Sequence, residues 1–253
     1  MTKQLQNKIA LITGGGSGIG RATAVLFAQE GAAVAIADID ADGGMETVQM
    51  VADQGSDAFF IQTDVSNSVQ VQAMVGEVVE RYGRLDIAFN NAGIEGETCR
   101  TADVTEEDFD RIIAVNLKGV WLCMKVEIPQ MLAQGGGVIV NTASAAGLVG
   151  TYSMPVYGAS KHGIVGLSKS AAVEYGRENI RVNAICPSVI ETPMVERAFE
   201  IFPQFVEATK RLNPMRRLGQ ADEVARAVLW LASDAASFTN GAALTIDGGF
   251  TAQ

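Results

Sequence analysis

Three residues can together move a proton to or from an alcohol oxygen: Ser144, Tyr157 and Lys161. Tyr157 and Lys161 stand at i and i+4 in Tyr157-Gly158-Ala159-Ser160-Lys161, so on a helix they share one face. An ammonium held beside a phenol favours the phenolate and draws its pKa down from the ordinary ~10. That makes a general acid–base for an alcohol or ketone oxygen. Ser144, just past a run of strand character, can hydrogen-bond the same oxygen. A Tyr-x-x-x-Lys pair alone is a common solvated helix face. Here it follows a hydroxyl-rich strand end and, far upstream, a glycine-rich loop.

That loop is Thr13-Gly14-Gly15-Gly16-Ser17-Gly18-Ile19-Gly20, set between a strand pattern and a helix pattern. Glycines allow a tight turn and close approach of a pyrophosphate, and the helix start adds free N–H groups and the positive dipole end. A merely flexible turn is the plainer reading until context is added. The context is an acid, Asp38, at the end of the next strand and eighteen residues beyond Gly20. A carboxylate there accepts hydrogen bonds from adenosine ribose hydroxyls and repels a 2′-phosphate. No Arg or Lys lies between Arg21 and Arg81 to offset it, so NAD is expected over NADP. A turn cap ahead of Asp40 and Asp42 is the alternative role for Asp38. A nucleoside-triphosphate loop is excluded, because Arg21 and Ala22 replace its Lys and Ser/Thr.

The elements that must position these residues alternate. Short apolar, β-branched runs fall at Lys8–Thr13, Ala33–Asp38, Asp57–Gln62, Leu85–Asn90, Gly137–Thr142, Ile180–Ile185 and Ala242–Ile246. Helical patterns fall at Gly18–Gln29, Asp42–Asp53, Ser66–Tyr82, Thr105–Leu132, Pro155–Arg177 and Ala221–Ala232. Such alternation predicts an α/β doubly wound, mostly parallel seven-stranded sheet with helices on both faces. No linker or internal repeat interrupts residues 1–253, so one domain is expected. Its longest irregular stretch, Cys186 to Gln220, is expected to be helical in part and to hold a substrate lid from about Val189 to Arg217.

Composition narrows the partners. The net charge of −10 argues against nucleic acid and membrane surfaces, which need a basic face. Cys99, Cys123 and Cys186 lie far apart, which favours reduced thiols in the cytoplasm over disulfides or zinc. The single histidine, His162, makes a His-based metal site or triad improbable, and no metal is expected. Residues Met1–Lys8 lack the apolar core of a secretion signal. The uncharged stretch Ile128–Ser160 carries glycines, hydroxyls and Pro155, so it is not a membrane span.

Together these motifs resemble the short-chain dehydrogenase/reductase family, in its NAD-preferring form of about this length. The landmarks are Thr13–Gly20, Asp64-Val65, Asn90-Asn91-Ala92-Gly93, Asn116, Ser144, Tyr157 with Lys161, and Asp247-Gly248-Gly249. The resemblance implies NAD held by Gly14, Ser17, Gly18, Ile19, Gly20 and Asp38. It puts Asp64 and Val65 at the adenine, and Asn91, Tyr157 and Lys161 at the riboses. Pro187, Ile190 and Thr192 would lie by the nicotinamide, with Asn90 bracing the sheet. It implies a catalytic set of Asn116, Ser144, Tyr157 and Lys161, in which Asn116 holds a water that links Lys161 to solvent. From the sequence alone, structural bracing is the other reading of Asn116. One departure is Pro187-Ser188, where the family usually has Pro-Gly.

Ser144, Ala146, Leu148, Tyr152, Tyr157 and Met194 are expected at the substrate, beside Phe199, Ile201, Phe202 and Phe205 in the lid. That lining suits an apolar cyclic, aryl or alkyl secondary alcohol or its ketone. A 3-oxoacyl-thioester reductase is the competing enzyme, but Pro129–Gly137 offers no basic residue for a carrier protein. A silent NAD-binding interaction protein would have lost part of the Ser–Tyr–Lys set. A hydrolase would need the Gly-x-Ser-x-Gly elbow that is absent. Surplus apolar residues on Thr105–Leu132 and on Pro155–Arg177 predict a homotetramer, as does the family resemblance.

Overall fold

The computed structural model describes residues 3–201, 206–211 and 213–253, with the side chains of residues 194, 197, 198, 201 and 208 left out. The Met194 and Ile201 side chains, and Phe202 and Phe205, therefore lie outside the described residues.

Strands β1 (Ile9–Thr13), β2 (Ala33–Asp38), β3 (Ala58–Gln62), β4 (Ile87–Asn90), β5 (Gly137–Thr142), β6 (Ile180–Pro187) and β9 (Ala243–Ile246) form one sheet. Its order is β3-β2-β1-β4-β5-β6-β9, and every pairing is parallel. Side chains alternate between the two faces. Leu11 enters a core shared with α3 (Ser68–Tyr82), α5 (Gly119–Ala133) and α6 (Pro155–Tyr175), whereas Ala10 and Ile12 enter one shared with α1 (Gly18–Gln29) and α9 (Ala221–Ala232). Phe27 and Phe89 have no exposed surface, and truncating either to Ala would cost about 3–5 kcal/mol. Both faces being covered explains the continuous apolarity of the strands.

Strand order reverses between β1 and β4, where Thr13 lies in register with Asn90. A crevice opens at such a switch point, at the carboxyl ends of the strands. The glycine loop and the Asn90–Gly93 turn both leave the sheet there.

Expected boundaries shift by one or two residues, with one larger difference. The helix expected over Thr105–Leu132 is α4 (Glu106–Ile112), a π-helical turn (Ile113–Lys118) and then α5. Strand β6 runs two residues past its expected end, to Pro187. The stretch expected to be irregular and partly helical contains α7 (Pro193–Ile201) and α8 (Val206–Lys210), and a two-stranded pair closes its base: β7 (Ile190–Glu191) with β8 (Gly219–Gln220). The remaining helix, α2 (Ala41–Ala52), follows β2. No helix among the described residues is long and apolar enough to cross a membrane.

Candidate active site

The glycine loop is shaped by what a side chain would hit. Gly14 has φ +63°, and a Cβ on it would lie 2.8 Å from Ala92 Cα. A Cβ on Gly20 would lie 2.0 Å from the Gly14 carbonyl oxygen. The loop therefore folds onto the Asn91-Ala92 turn, where Thr13 Oγ1 accepts from the Asn91 and Ala92 N–H groups at 3.0 and 3.2 Å. Asn91 Nδ2 donates to the Gly14 carbonyl at 3.1 Å. Ser17 caps α1 without a side-chain bond, so it leaves the helix's first N–H groups to another acceptor.

Asp38 Oδ2 accepts from the Gly16 N–H at 2.8 Å, and Oδ1 accepts from the Asp40 N–H at 3.0 Å. The carboxylate thus makes the expected turn cap and also stands at the phosphate loop. One expectation needs correction. Distance along the chain suggested that no cation reaches this region, yet Arg21 folds back to it. Its guanidinium donates to the Gly16 carbonyl, to the Gly43 carbonyl at 3.3 Å and to Thr47 Oγ1 at 3.1 Å, and it pairs with Glu46 at 2.7 Å. With these four partners it is held in place by the protein itself. Asp64 turns its carboxylate to the Ser66 N–H and hydroxyl, and Val65 is buried.

Helix α6 carries Tyr157 and Lys161 one turn apart, with Lys161 Nζ 5.5 Å from the Tyr157 ring centroid. Lys161 is buried and donates to the Thr142 carbonyl at 2.8 Å. Ser144 lies just beyond β5 and close enough to Tyr157 to influence its phenol; its hydroxyl donates to the Pro187 carbonyl at 3.3 Å and accepts from the Ala146 N–H at 3.1 Å. The electrostatics correct the simple expectation of a phenol drawn down by its lysine. Burial pushes Tyr157 up to about 12; the Ser144 hydroxyl opposes this and the Glu95 carboxylate adds to it. Burial also brings Lys161 down to about 8, with Cys186 opposing. The lysine bonds a carbonyl and faces the ring, so desolvation outweighs its attraction for the phenolate.

Asn116 is fully buried in the π turn. Its Oδ1 accepts from the Ile94 N–H, and its Nδ2 donates to the Ile94 carbonyl, both at 2.8 Å. A second bond runs from Nδ2 to Ser160 Oγ at 3.3 Å. The amide therefore braces the segment after Asn91, and Gly93 sits between Asn116 and Lys161. Asn90 bonds Glu127 and Asn141 in the core, each at 3.0 Å. Thr192 reaches the loop near Gly18, and Ile190 is buried. Ala146 is buried and Leu148 half-buried, but Tyr152 is 92 % exposed. Tyr152 thus points to solvent and not into an enclosed substrate pocket.

Two features near the site had no sequence signal. A narrow crevice beside Tyr157 is lined by Glu95, Glu97 and Asp108 among apolar residues. Cys186 lies beside Ser144 and Lys161. Both depend on loops and strands that meet only in the fold.

A family model described as enoyl-(acyl carrier protein) reductase matches residues 14–251. Levodione reductase of Leifsonia aquatica is 43 % identical over 258 residues, which cover 99 % of this chain and 97 % of that protein. The chain belongs to the short-chain dehydrogenase/reductase family. It is also similar to cyclohexanol dehydrogenase of Acinetobacter sp. strain SE19, at 42 % identity with 100 % of this chain and 98 % of that one covered. Among solved structures, carveol dehydrogenase from Mycobacterium avium in complex with NAD aligns with a TM-score of 0.96 and 31 % identity, covering 100 % of both chains. Membership in this family makes the chain an oxidoreductase acting on CH–OH groups.

Proposed function

We propose that this protein is an NAD(H)-dependent oxidoreductase that interconverts a secondary alcohol, apolar and cyclic by preference, with its ketone. One observation carries the reading: Ser144, Tyr157 and Lys161 converge at the carboxyl ends of the strands, where the glycine loop, its Gly16 N–H bound to Asp38, also leaves the sheet. The named activities of the levodione and cyclohexanol enzymes and the NAD in the carveol enzyme's structure support it. The loop fits the cofactor, because a Cβ at Gly14 or Gly20 would fill the cradle and Ser17 leaves the helix start uncapped.

When bound, the nicotinamide supplies the hydride acceptor, or the donor in reduction. Gly14, Ser17, Gly18, Ile19 and Gly20 hold the pyrophosphate, and Asp38 the adenosine ribose. Asp64 and Val65 flank the adenine, and Asn91 the ribose. Pro187, Ile190 and Thr192 flank the carboxamide. Tyr157 takes the hydroxyl proton in oxidation and returns it to the carbonyl oxygen in reduction. Ser144 orients that oxygen, and Lys161 steadies the phenolate and the nicotinamide ribose. Asn116 holds the turn that would carry a water between Lys161 and solvent.

Residues 1–253 act as one domain, whose lid spans about 189–217 and is pinned at its base by the β7–β8 pair. Trp121 and Val173 are exposed on α5 and α6, which favours a homotetramer packed through these helices. The three separated free cysteines favour the cytoplasm.

A screen of cyclic, aryl and aliphatic secondary alcohols with NAD, and of their ketones with NADH, tests the reading. Cyclic alcohols are expected to give the highest kcat/KM. Turnover confined to 3-oxoacyl thioesters, or NADH binding without turnover, would overturn it.

A further inference from the structure

Gly16, in the middle of the phosphate loop, has both of its backbone groups held by charged side chains. Its N–H donates to Asp38 Oδ2 at 2.8 Å, from the end of β2. Its carbonyl accepts from Arg21 Nη2, from the first turn of α1.

On its other side the guanidinium is anchored to α2. Nε donates to Thr47 Oγ1 at 3.1 Å, and Nη2 reaches the Gly43 carbonyl at 3.3 Å and the Glu46 carboxylate at 2.7 Å. Thr47 is fully buried, and its hydroxyl donates to the same Gly43 carbonyl at 2.9 Å. Helix α2 comes this near because residues 43 and 44 lack a Cβ. One on Gly43 would lie 2.9 Å from the Gly16 carbonyl oxygen, and one on Gly44 would lie 2.1 Å from the Phe60 ring. Arg21 therefore ties the phosphate loop, α1 and α2 together, which takes a rigid fork of several donors.

The Gly16–Ser17 peptide is trans, so its carbonyl and its N–H point in opposite directions. Holding the Gly16 carbonyl against Arg21 and α2 turns the Ser17 N–H away from them. Ser17 is the N-cap of α1 and makes no side-chain cap bond, so the donors at this helix start are left for an anion. With the Gly16 N–H given to Asp38, the Ser17 N–H is the next donor along the loop. We propose that Arg21 is a positioning residue for the cofactor: through the Gly16 carbonyl it sets the Gly16–Ser17 peptide so that the Ser17 N–H faces the pyrophosphate. The inference rests on the NAD site proposed for this loop.

Fluorescence titration with NADH, together with amide hydrogen exchange of the cofactor-free protein, tests it. Arg21→Met keeps an unbranched apolar stem and removes every donor. It is expected to raise the NADH Kd about tenfold, the effect that losing one hydrogen bond from a charged group allows. Exchange across residues 15–18 is expected to quicken while β1 and β4 stay as protected as in wild type. The KM for the alcohol at saturating NAD is expected to move by less than about twofold, since the clamp touches only the adenosine and phosphate side. Arg21→Lys, which still carries a donor for the Gly16 carbonyl, is expected to recover most of the affinity. If Arg21→Met fails to fold, Thr47→Val removes the Nε partner and leaves the guanidinium, and it is expected to weaken NADH about threefold. An NADH Kd unchanged in the variant that folds, a loss that Arg21→Lys shares in full, or faster exchange spread through β1 and β4 would overturn the role of Arg21 alone. Wild-type protein that binds no NADH would overturn the NAD site and this inference with it.

Discussion

Tyr157 sits in surroundings that hold it protonated, with its phenol pushed up to about 12. A protonated phenol suits reduction, where it donates. Oxidation needs the phenolate, so kcat for oxidation is expected to climb with pH across the neutral and alkaline range. Ser144 lowers that pKa and Glu95 raises it. Ser144→Ala should therefore move the oxidation limb to higher pH, and Glu95→Gln should move it to lower pH; rate profiles of both variants check the two signs. Tyr157→Phe keeps the ring and loses the proton, so kcat is expected to fall at least about a hundredfold while NADH still binds. A second residue-scale effect concerns Glu127, which is fully buried and held by one hydrogen bond from Asn90. Burial pushes its carboxyl up to about 7. The unfolded chain loses this proton near the ordinary ~4.3, so stability is full below that pH and declines as pH rises toward 7. The loss is of order 3 kcal/mol at full ionisation. Thermal unfolding of Glu127→Gln should show a higher Tm than wild type at pH 8 and no such advantage at pH 5. The proposed trio of Ser144, Tyr157 and Lys161 stood out in the sequence because its residue types and the i, i+4 spacing of Tyr157 and Lys161 are local. Glu95, Cys186 and the return of Arg21 to the phosphate loop were not, since each depends on segments brought together from far along the chain.

At the scale of elements, strands and long helices were legible to within about two residues wherever burial on one or both faces writes a periodic pattern. The π turn at 113–118 was not, because a single widened turn barely disturbs the period of a helix. Asn116 explains the turn after the fact: its amide meets both backbone groups of Ile94. Asn116→Ala would leave that pair unbonded in the core, and Lys161 lies across Gly93 from it. Some helix was expected within Cys186–Gln220, but the bounds of α7 and α8 were not legible, since both are short and follow a stretch without strand signals. In the protein without cofactor, α7 and α8 are expected to exchange their amide hydrogens faster than β7 and β8, which close the lid's base. Mass-spectrometric exchange that found equal protection would remove the lid. In the phosphate loop, Gly20→Ala places a Cβ 2.0 Å from the Gly14 carbonyl oxygen. Fluorescence titration of that variant is expected to show NADH binding weakened by at least about tenfold, a cost of 1.4 kcal/mol or more.

For the whole molecule, sheet order and the switch point decide where chemistry happens. The alternation of β and α patterns foretells that location, but no sequence pattern gives the strand order β3-β2-β1-β4-β5-β6-β9. For the homotetramer proposed from the exposed apolar side chains on α5 and α6, light scattering at micromolar concentration is expected to return four times the monomer mass of 26.7 kDa. With Asp38 at the loop and Arg21 committed to Gly16, Gly43, Thr47 and Glu46, kcat/KM is expected to favour NAD over NADP. The most direct test follows the transferred hydrogen. Cyclohexanol deuterated at its carbinol carbon is incubated with the protein and NAD, and the reduced nicotinamide is weighed by mass spectrometry. One deuterium in the NADH, with formation abolished in Tyr157→Phe, is the expected result. NADH without deuterium, or label transfer undiminished in Tyr157→Phe, would contradict hydride transfer from a secondary alcohol assisted by Tyr157.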